Sequence, residues 1–241
     1  MSYRLQGLLF AVGALTVGLP LVADNAAQPV QAATTEDVNF APGGTIRVEG
    51  SYGTLTVEGW DQAVVEVTVV RSLGYVSETD SVEKQRLDSV HVVTERKSDT
   101  ELTILTKAPP PGFLGHLHLK GHDVAVEYRI RVPRNSNLVI HHAGYVAVTR
   151  VTGNIDATDG CGDILLMLPD LAAYSIDAHT KAGVVTSDVT AATRRKHLTG
   201  ENLTHGDATL THKLVLRMGF GGITIKELPR EASVIPQSAA K

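Results

Sequence analysis

Between Thr45 and Trp60, apolar and polar residues take turns along the chain. Ile46 and Val48 alternate with Thr45, Arg47 and Glu49, and Leu55 and Val57 alternate with Thr54, Thr56 and Glu58. This period of two sends every second side chain to one face of a strand. Each run opens on a glycine, Gly44 and Gly53, nine residues apart. The spacing returns at Gly144, Gly153 and Gly162, in GYVAVTRVT, GNIDATDGC and GDILLMLPD, where Val146, Ile155 and Ile164 stand two places after the glycine. Looser copies begin at Gly183, Gly206 and Gly222. Glycine suits a corner because it takes a positive φ or tight bend that a branched residue resists. So short a unit cannot bury its apolar side alone, and its copies are expected to stack into one core. The pattern predicts an all-β protein, a β-solenoid-like stack of short strands cornered at Gly44, Gly53, Gly144, Gly153 and Gly162.

A different block, about residues 76–133, separates the two glycine regions. Before it, Ala63 to Val70 forms a strand with Val65, Val67 and Val69 on one side. Asp80-Ser81-Val82-Glu83 has the form of a capping box and opens a short helix through about Ser89. Two strands around a polar turn at Lys97-Ser98-Asp99 make a hairpin. After the proline-broken loop APPPGFLG, a strand carries Val124, Val126, Tyr128 and Ile130 in alternation and closes at Pro133. The block is expected to be antiparallel, with the one short helix of the fold.

The ends read differently. Arg4 precedes an apolar stretch from Leu5 to Ala23, and Val30-Gln31-Ala32 offers small residues where a signal peptidase inspects them. Residues 1–32 are therefore expected to be a signal peptide cleaved after Ala32, with Ala23 as the second choice. The alternative is retention as a single membrane anchor, since the stretch nears spanning length, but Pro20 and its glycines suit a cleavable segment better. Either route puts the rest of the chain outside the cytoplasm, in the periplasm, on the cell surface or in the medium. The folded part is expected at 33–230 as one domain, with 231–241 a flexible tail.

Composition narrows the function. With 43% hydrophobic and 20% charged residues over 241 positions, the chain can bury a core. A net charge of -4 and scattered basic residues leave no basic stripe for nucleic acid. The one basic run, Arg194-Arg195-Lys196, reads as a solvated loop. Cys161 is the single cysteine, so no internal disulfide forms, and none stands after the leader to take a lipid.

The order of a glycine-opened alternating pair, the corner Gly59-Trp60-Asp61 and a valine-rich strand resembles an exported bacterial family of unknown function known as "putative adhesin". So does the later order of Ile130-Arg131-Val132-Pro133, a polar turn, a strand and glycine rungs containing Gly162-Asp163-Ile164. The likeness covers roughly residues 38–228. It implies a β-solenoid-like or stacked β fold in an envelope or surface setting, without established enzymatic activity.

Candidate chemistry is sparse. In HLHLKGHD, His116, His118, His122 and Asp123 form a donor set suited to zinc: two histidines on one strand face and a third brought back through Gly121. The competing picture is an edge strand facing solvent, with Leu117 and Leu119 inward. His141 and His142 are adjacent and should point to opposite faces. Asp156, Asp159 and Asp163 stand near glycines, as in calcium-binding repeats, but without that repeat's glycine-rich signature they read as turn formers. Arg150 near Asp156 is the one hint of a lyase-like site. No nucleophile elbow, phosphate loop or dinucleotide fingerprint occurs, no cofactor is implied, and Cys161 reads as a small core residue. Two functions follow. The first is a non-catalytic adhesin or envelope scaffold that meets a surface protein, a glycan or its own copies through strand faces or edges. The second is a metal-binding protein or metal-dependent hydrolase using the His116 to Asp123 segment.

Overall fold

The structure, a computed structural model, describes residues 31–73, 87–107, 124–207 and 209–229. Among the described residues fourteen strands join in one hydrogen-bonded network. They are β1 (Gln31–Asn39), β2 (Thr45–Trp60), β3 (Val64–Ser72), β4 (His91–Ser98), β5 (Glu101–Lys107), β6 (Ala125–Pro133), β7 (Asn137–Thr149), β8 (Ile155–Leu168), β9 (Tyr174–Ala182), β10 (Val185–Ser187), β11 (Thr193–Lys196), β12 (Glu201–His205), β13 (His212–Phe220) and β14 (Ile223–Glu227).

Three of these strands are long because each makes two limbs around a glycine bend. β2 pairs in parallel with β7, first over Thr45–Val48 and then over Ser51–Glu58, with the register shifting between. β7 and β8 repeat the arrangement, shifting between His142 and Gly144. The first limbs continue through β13, which lies parallel to both β8 and β9, and then through antiparallel β12 and β11. The second limbs continue through β14 and β10. At the other end, β5 lies beside the first limb of β2 and β6 beside the second, followed by β3 and β1.

Gly144 lies opposite Gly162, eighteen residues on, and opposite Gly53 on its other side. The nine-residue spacing in the sequence is thus half of the stacking period. Gly153 falls at the far corner, between β7 and β8, where a Cβ would strike the carbonyl oxygen of Ser136.

Both limbs bury alternate side chains in one cluster. Ile46 and Val48 from the first limb of β2, and Leu55 and Val57 from the second, all belong to it. The sheet is therefore folded on itself along the glycine line, with the core between its limbs. At the far corner Tyr174 is buried, its hydroxyl donating toward the carbonyls of Val151 and Gly153, each at 3.3 Å. Burial pushes its phenol far above the usual range. Tyr174→Phe keeps the ring but strips those carbonyls of their donor, and is expected to cost about 1 kcal/mol. An unshifted urea midpoint would show that water already serves both carbonyls.

The middle block extends the stack. β4 and β5 form the expected antiparallel hairpin, but β5 also runs parallel to β2, and β6 lies between β3 and β2. Of the expected helix, Leu87 to Ser89 are helical, while the capping box at 80–83 lies outside the described residues. A 3-10 turn at Leu171–Ala173, capped by Asp170 accepting from Ala172 N at 3.1 Å, follows β8, where the periodicity gives no sign of it. After it the chain lays down β9 one place away from β8, and β13 later fills the gap. The expected cleavage point after Ala32 falls within β1, whose Gln31 and Ala32 pair with Ser72 and Arg71, whereas a cut after Ala23 spares the strand.

Candidate functional site

The bends line up as a column of Gly53, Gly144, Gly162, Gly221 and Gly183. All five have positive φ, between 91° and 147°. Each carbonyl supports the next glycine so closely that a Cβ on Gly144 would strike Gly53 O, one on Gly162 would strike Gly144 O, and one on Gly221 would strike Gly162 O. No side chain fits between these backbones, so the column fixes both the sharpness of the bend and the spacing of the rungs.

Just inside the bend, polar side chains take places that an alternating pattern would give to apolar ones. Ser51, His142, Asp159 and Thr180 are all buried. Ser51 is the register partner of His142, and His142 that of Asp159, so a serine, a histidine and an aspartate stand on three adjacent strands. Most of their hydrogen bonds run to the backbone. His142 Nε2 lies 3.1 Å from Gly53 O, which can only accept, so Nε2 carries the proton. Nδ1 then accepts from the Ser51 hydroxyl at 2.7 Å. Asp159 does not orient the histidine. Its Oδ1 accepts from Cys161 N at 2.9 Å and Gly144 N at 3.3 Å, while Oδ2 is buried without a partner. Thr180 donates to Gly221 O at 2.9 Å. The row thus satisfies backbone groups freed by the bend.

Burial sets the titration of this row. It lowers the His142 pKa below 6.5, with the hydrogen bond to Gly53 opposing. It raises the Asp159 carboxyl above 3.8, the backbone N–H bonds offsetting part of the rise and the nearby Asp163 charge adding to it.

Outside the bend the surface is apolar. Tyr145, Val184 and Phe220 are 39%, 61% and 67% exposed, and each adjoins a column glycine. Among the described residues Leu198 is the other exposed large hydrophobic, and its neighbour Thr199 accepts from Gly183 N at 2.9 Å, so it too lies near the end of the column. Cys161 lies in register with Phe220, and Phe220 with Ala182, forming a short ridge along the corner. Cys161 is exposed, against the expectation of a core residue, because the bend between Gly160 and Gly162 carries it off the inward face.

The other candidates disperse. His116, His118, His122 and Asp123 lie outside the described residues. His141 and His142 do face opposite ways, His141 Nδ1 meeting Glu49 at 2.8 Å on the outer surface. Asp156 and Asp163 are exposed and Asp159 is inward. Asp159 bonds the N–H two residues on, which is turn chemistry, whereas Asp163 accepts at 2.7 Å from Gly222 N of the neighbouring rung. Among the described residues, no three His, Cys, Asp or Glu side chains gather as a metal site would require. Arg150 takes φ 59° and meets Glu58 at 3.6 Å. Arg194 to Lys196 belong to strand β11 and not to a loop, and Arg194 lies 3.5 Å from the buried Glu201, whose other oxygen accepts from Val185 N. At the Gly-Trp-Asp corner Trp60 donates to Val64 O at 2.8 Å, and Arg134 forks onto Asp61, holding that carboxyl below its usual value.

No family model matches the chain, and no curated protein matches its sequence. Solved structures do. A "putative lipid binding protein" and a "putative adhesin", both from Parabacteroides distasonis, align over 82% of this chain and 97% of their own at 12% and 10% identity, with TM-scores of 0.25 and 0.22. A "putative cell adhesion protein" from Clostridium sporogenes aligns over 83% of this chain and 100% of its own, at 12% identity and a TM-score of 0.50. What this chain shares with the Clostridium sporogenes protein is its all-β fold.

Proposed function

We propose that this is a non-catalytic, exported interaction protein of the adhesin kind, working through the outside of its strand stack. The observation that carries the reading is the contrast across the glycine bend. Inside, the one Ser-His-Asp row is buried and committed to backbone groups. Outside, exposed large apolar side chains, Tyr145, Val184 and Phe220, stand next to glycines of the column, and exposed apolar surface of that kind suits contact with another body. The apolar leader of the sequence supports export, and the fold shared with the "putative cell adhesion protein" of Clostridium sporogenes agrees with the reading.

The test joins two measurements on the purified protein. It is expected to turn over no ester, glycan or phosphate substrate, and beads coated with it are expected to adhere to cells or envelope preparations. Phe220→Asp combined with Val184→Asp should reduce adhesion at least about tenfold with the melting temperature unchanged, as the loss of a central apolar anchor does. Turnover abolished by changing one residue, or adhesion indifferent to the ridge, would refute the proposal.

A further inference from the structure

We infer that the corner around Trp60, away from the glycine column, is a binding site for one ring of a neutral sugar. Three connecting segments meet there: residues 40–44 between β1 and β2, 61–63 between β2 and β3, and 134–136 between β6 and β7. Hydrogen bonds fasten them to one another. Arg134 N donates to Trp60 O at 3.0 Å, Gly43 N to Asn135 Oδ1 at 3.0 Å, and Asn137 Nδ2 to Gly43 O at 3.2 Å. Thr152 N, donating to Arg134 O at 2.6 Å, ties the group to the far corner where Gly153 lies. The Trp60 ring is held too, by its N–H on Val64 O at 2.8 Å and by the Arg131 guanidinium 5.5 Å from the ring centre. Between the segments lies a cleft of about 250 Å³, formed before any ligand arrives.

The lining has two characters. Pro42, Trp60 and Pro133 contribute apolar ring surface, while Asp61, Gln62 and Asn135 line the same cleft and are exposed. A sugar ring matches this, with C–H groups on its face and hydroxyls around its edge that both donate and accept. Asp61 accepts, the Gln62 amide does both, and Asn135, whose Oδ1 takes Gly43 N, keeps Nδ2 as a donor. Charge argues against other small ligands. Asp61 and Arg134 are the two charged residues of the lining, and Arg134 forks onto Asp61, so the cleft carries no net charge. A phosphate or carboxylate would have to part Arg134 from Asp61, and a cation would have to part Asp61 from Arg134. A neutral hydroxyl instead meets the Asp61 carboxylate as it stands, with the guanidinium holding it in place. The volume is below the roughly 300–1,000 Å³ of sites for drug-sized molecules, so it suits a single ring, free or at the end of a glycan. Such a site is weak by itself and gains strength when many copies meet many sugar ends on a surface.

Trp60 is the single tryptophan of the chain, so tryptophan fluorescence reports on this cleft directly. The full chain is titrated with the methyl glycosides of glucose, galactose, mannose and N-acetylglucosamine. Sodium phosphate, sodium acetate and sorbitol, which has hydroxyls but no ring, are titrated in parallel. At least one glycoside is expected to give a saturable change in emission, half complete on the order of 1 mM, as befits a small, weakly held ligand. The two salts and sorbitol are expected to give none. Asp61→Ala, at an exposed position, should weaken the response at least about tenfold with the melting temperature unchanged. Silence towards all four glycosides, an equal response to phosphate, acetate or sorbitol, or a response that survives Asp61→Ala would overturn the site. Phe220→Asp combined with Val184→Asp should leave the titration unmoved, so the cleft and the glycine-corner surface stand or fall separately.

Discussion

Gly162→Ala is expected to destabilise the protein by about 2–6 kcal/mol, a large share of the stability of a domain of this size. Two costs combine. Alanine at φ 136° is strained, typically by about 1–3 kcal/mol. Its Cβ would also meet the carbonyl oxygen of Gly144, and separating the two backbones to admit it costs about 1–3 kcal/mol more. Neither neighbour can give way cheaply, because Gly162 sits in mid-column and its own carbonyl abuts Gly221. Gly160, two residues earlier, is the control. A Cβ there meets nothing within 4 Å and its φ is not positive, so Gly160→Ala should stay within about 0.5 kcal/mol of the unaltered protein. Urea unfolding of the pair decides the matter. Similar midpoints for the two variants would mean that the column tolerates a methyl group and does not set the bend.

That contrast shows what kind of information the sequence carried. Alternation and glycine recurrence reflect local geometry, so the strands over 45–60, 137–149 and 155–168 could be read from them, as could the bends at Gly53, Gly144 and Gly162. Glycine alone does not reveal which corner it serves. Gly153 has the same spacing as its neighbours, yet it packs on the turn carbonyl of Ser136 and not in the column. The insertion of β13 between β8 and β9 was illegible for another reason. Parallel pairing joins segments far apart in the chain, and the turn residues that betray a hairpin give no sign of it.

The site was harder still. Ser51, His142 and Asp159 interrupt the apolar alternation singly, each in a different part of the sequence, and only the register places them side by side. A signal did exist: in each case the polar residue stands two or three places before a column glycine, where the bend frees backbone groups. Cys161 and Phe220 have the composition of core residues. Their exposure comes from the bend, which interrupts the strict alternation of inward and outward positions.

The buried row should give the protein a pH dependence of two opposite signs. His142 is held neutral by burial, with its pKa below 6.5, so the unfolded chain binds a proton there before the folded one does. Stability from this group is complete above pH 6.5 and is lost as the pH falls from there toward the folded value. Protonating Nδ1 would also take away the acceptor that Ser51 uses. Asp159 acts the other way. Its folded pKa lies above 3.8, so the folded chain takes the proton first and gains stability as the pH falls toward 3.8. At neutral pH its carboxylate is a liability, with Oδ2 buried and unpartnered. Asp159→Asn keeps the acceptor for Gly144 N and Cys161 N and removes the charge. It is expected to stabilise the protein at pH 7 by about 1 kcal/mol, because it removes a desolvated charge although its amide nitrogen is left as unpartnered as Oδ2. The gain should shrink as the pH falls toward 3.8, because the folded Asp159 takes up its proton before the unfolded one does. His142→Gln should instead flatten the acid loss that begins near pH 6.5, and Ser51→Ala should cost about 1–3 kcal/mol by leaving Nδ1 without a donor. Urea midpoints at pH 7, 5.5 and 4 separate these effects. An Asp159→Asn variant weaker than the unaltered protein at pH 7 would show that the second carboxylate oxygen has a partner, and the row would then be a bound charge network and not a set of caps for the bend.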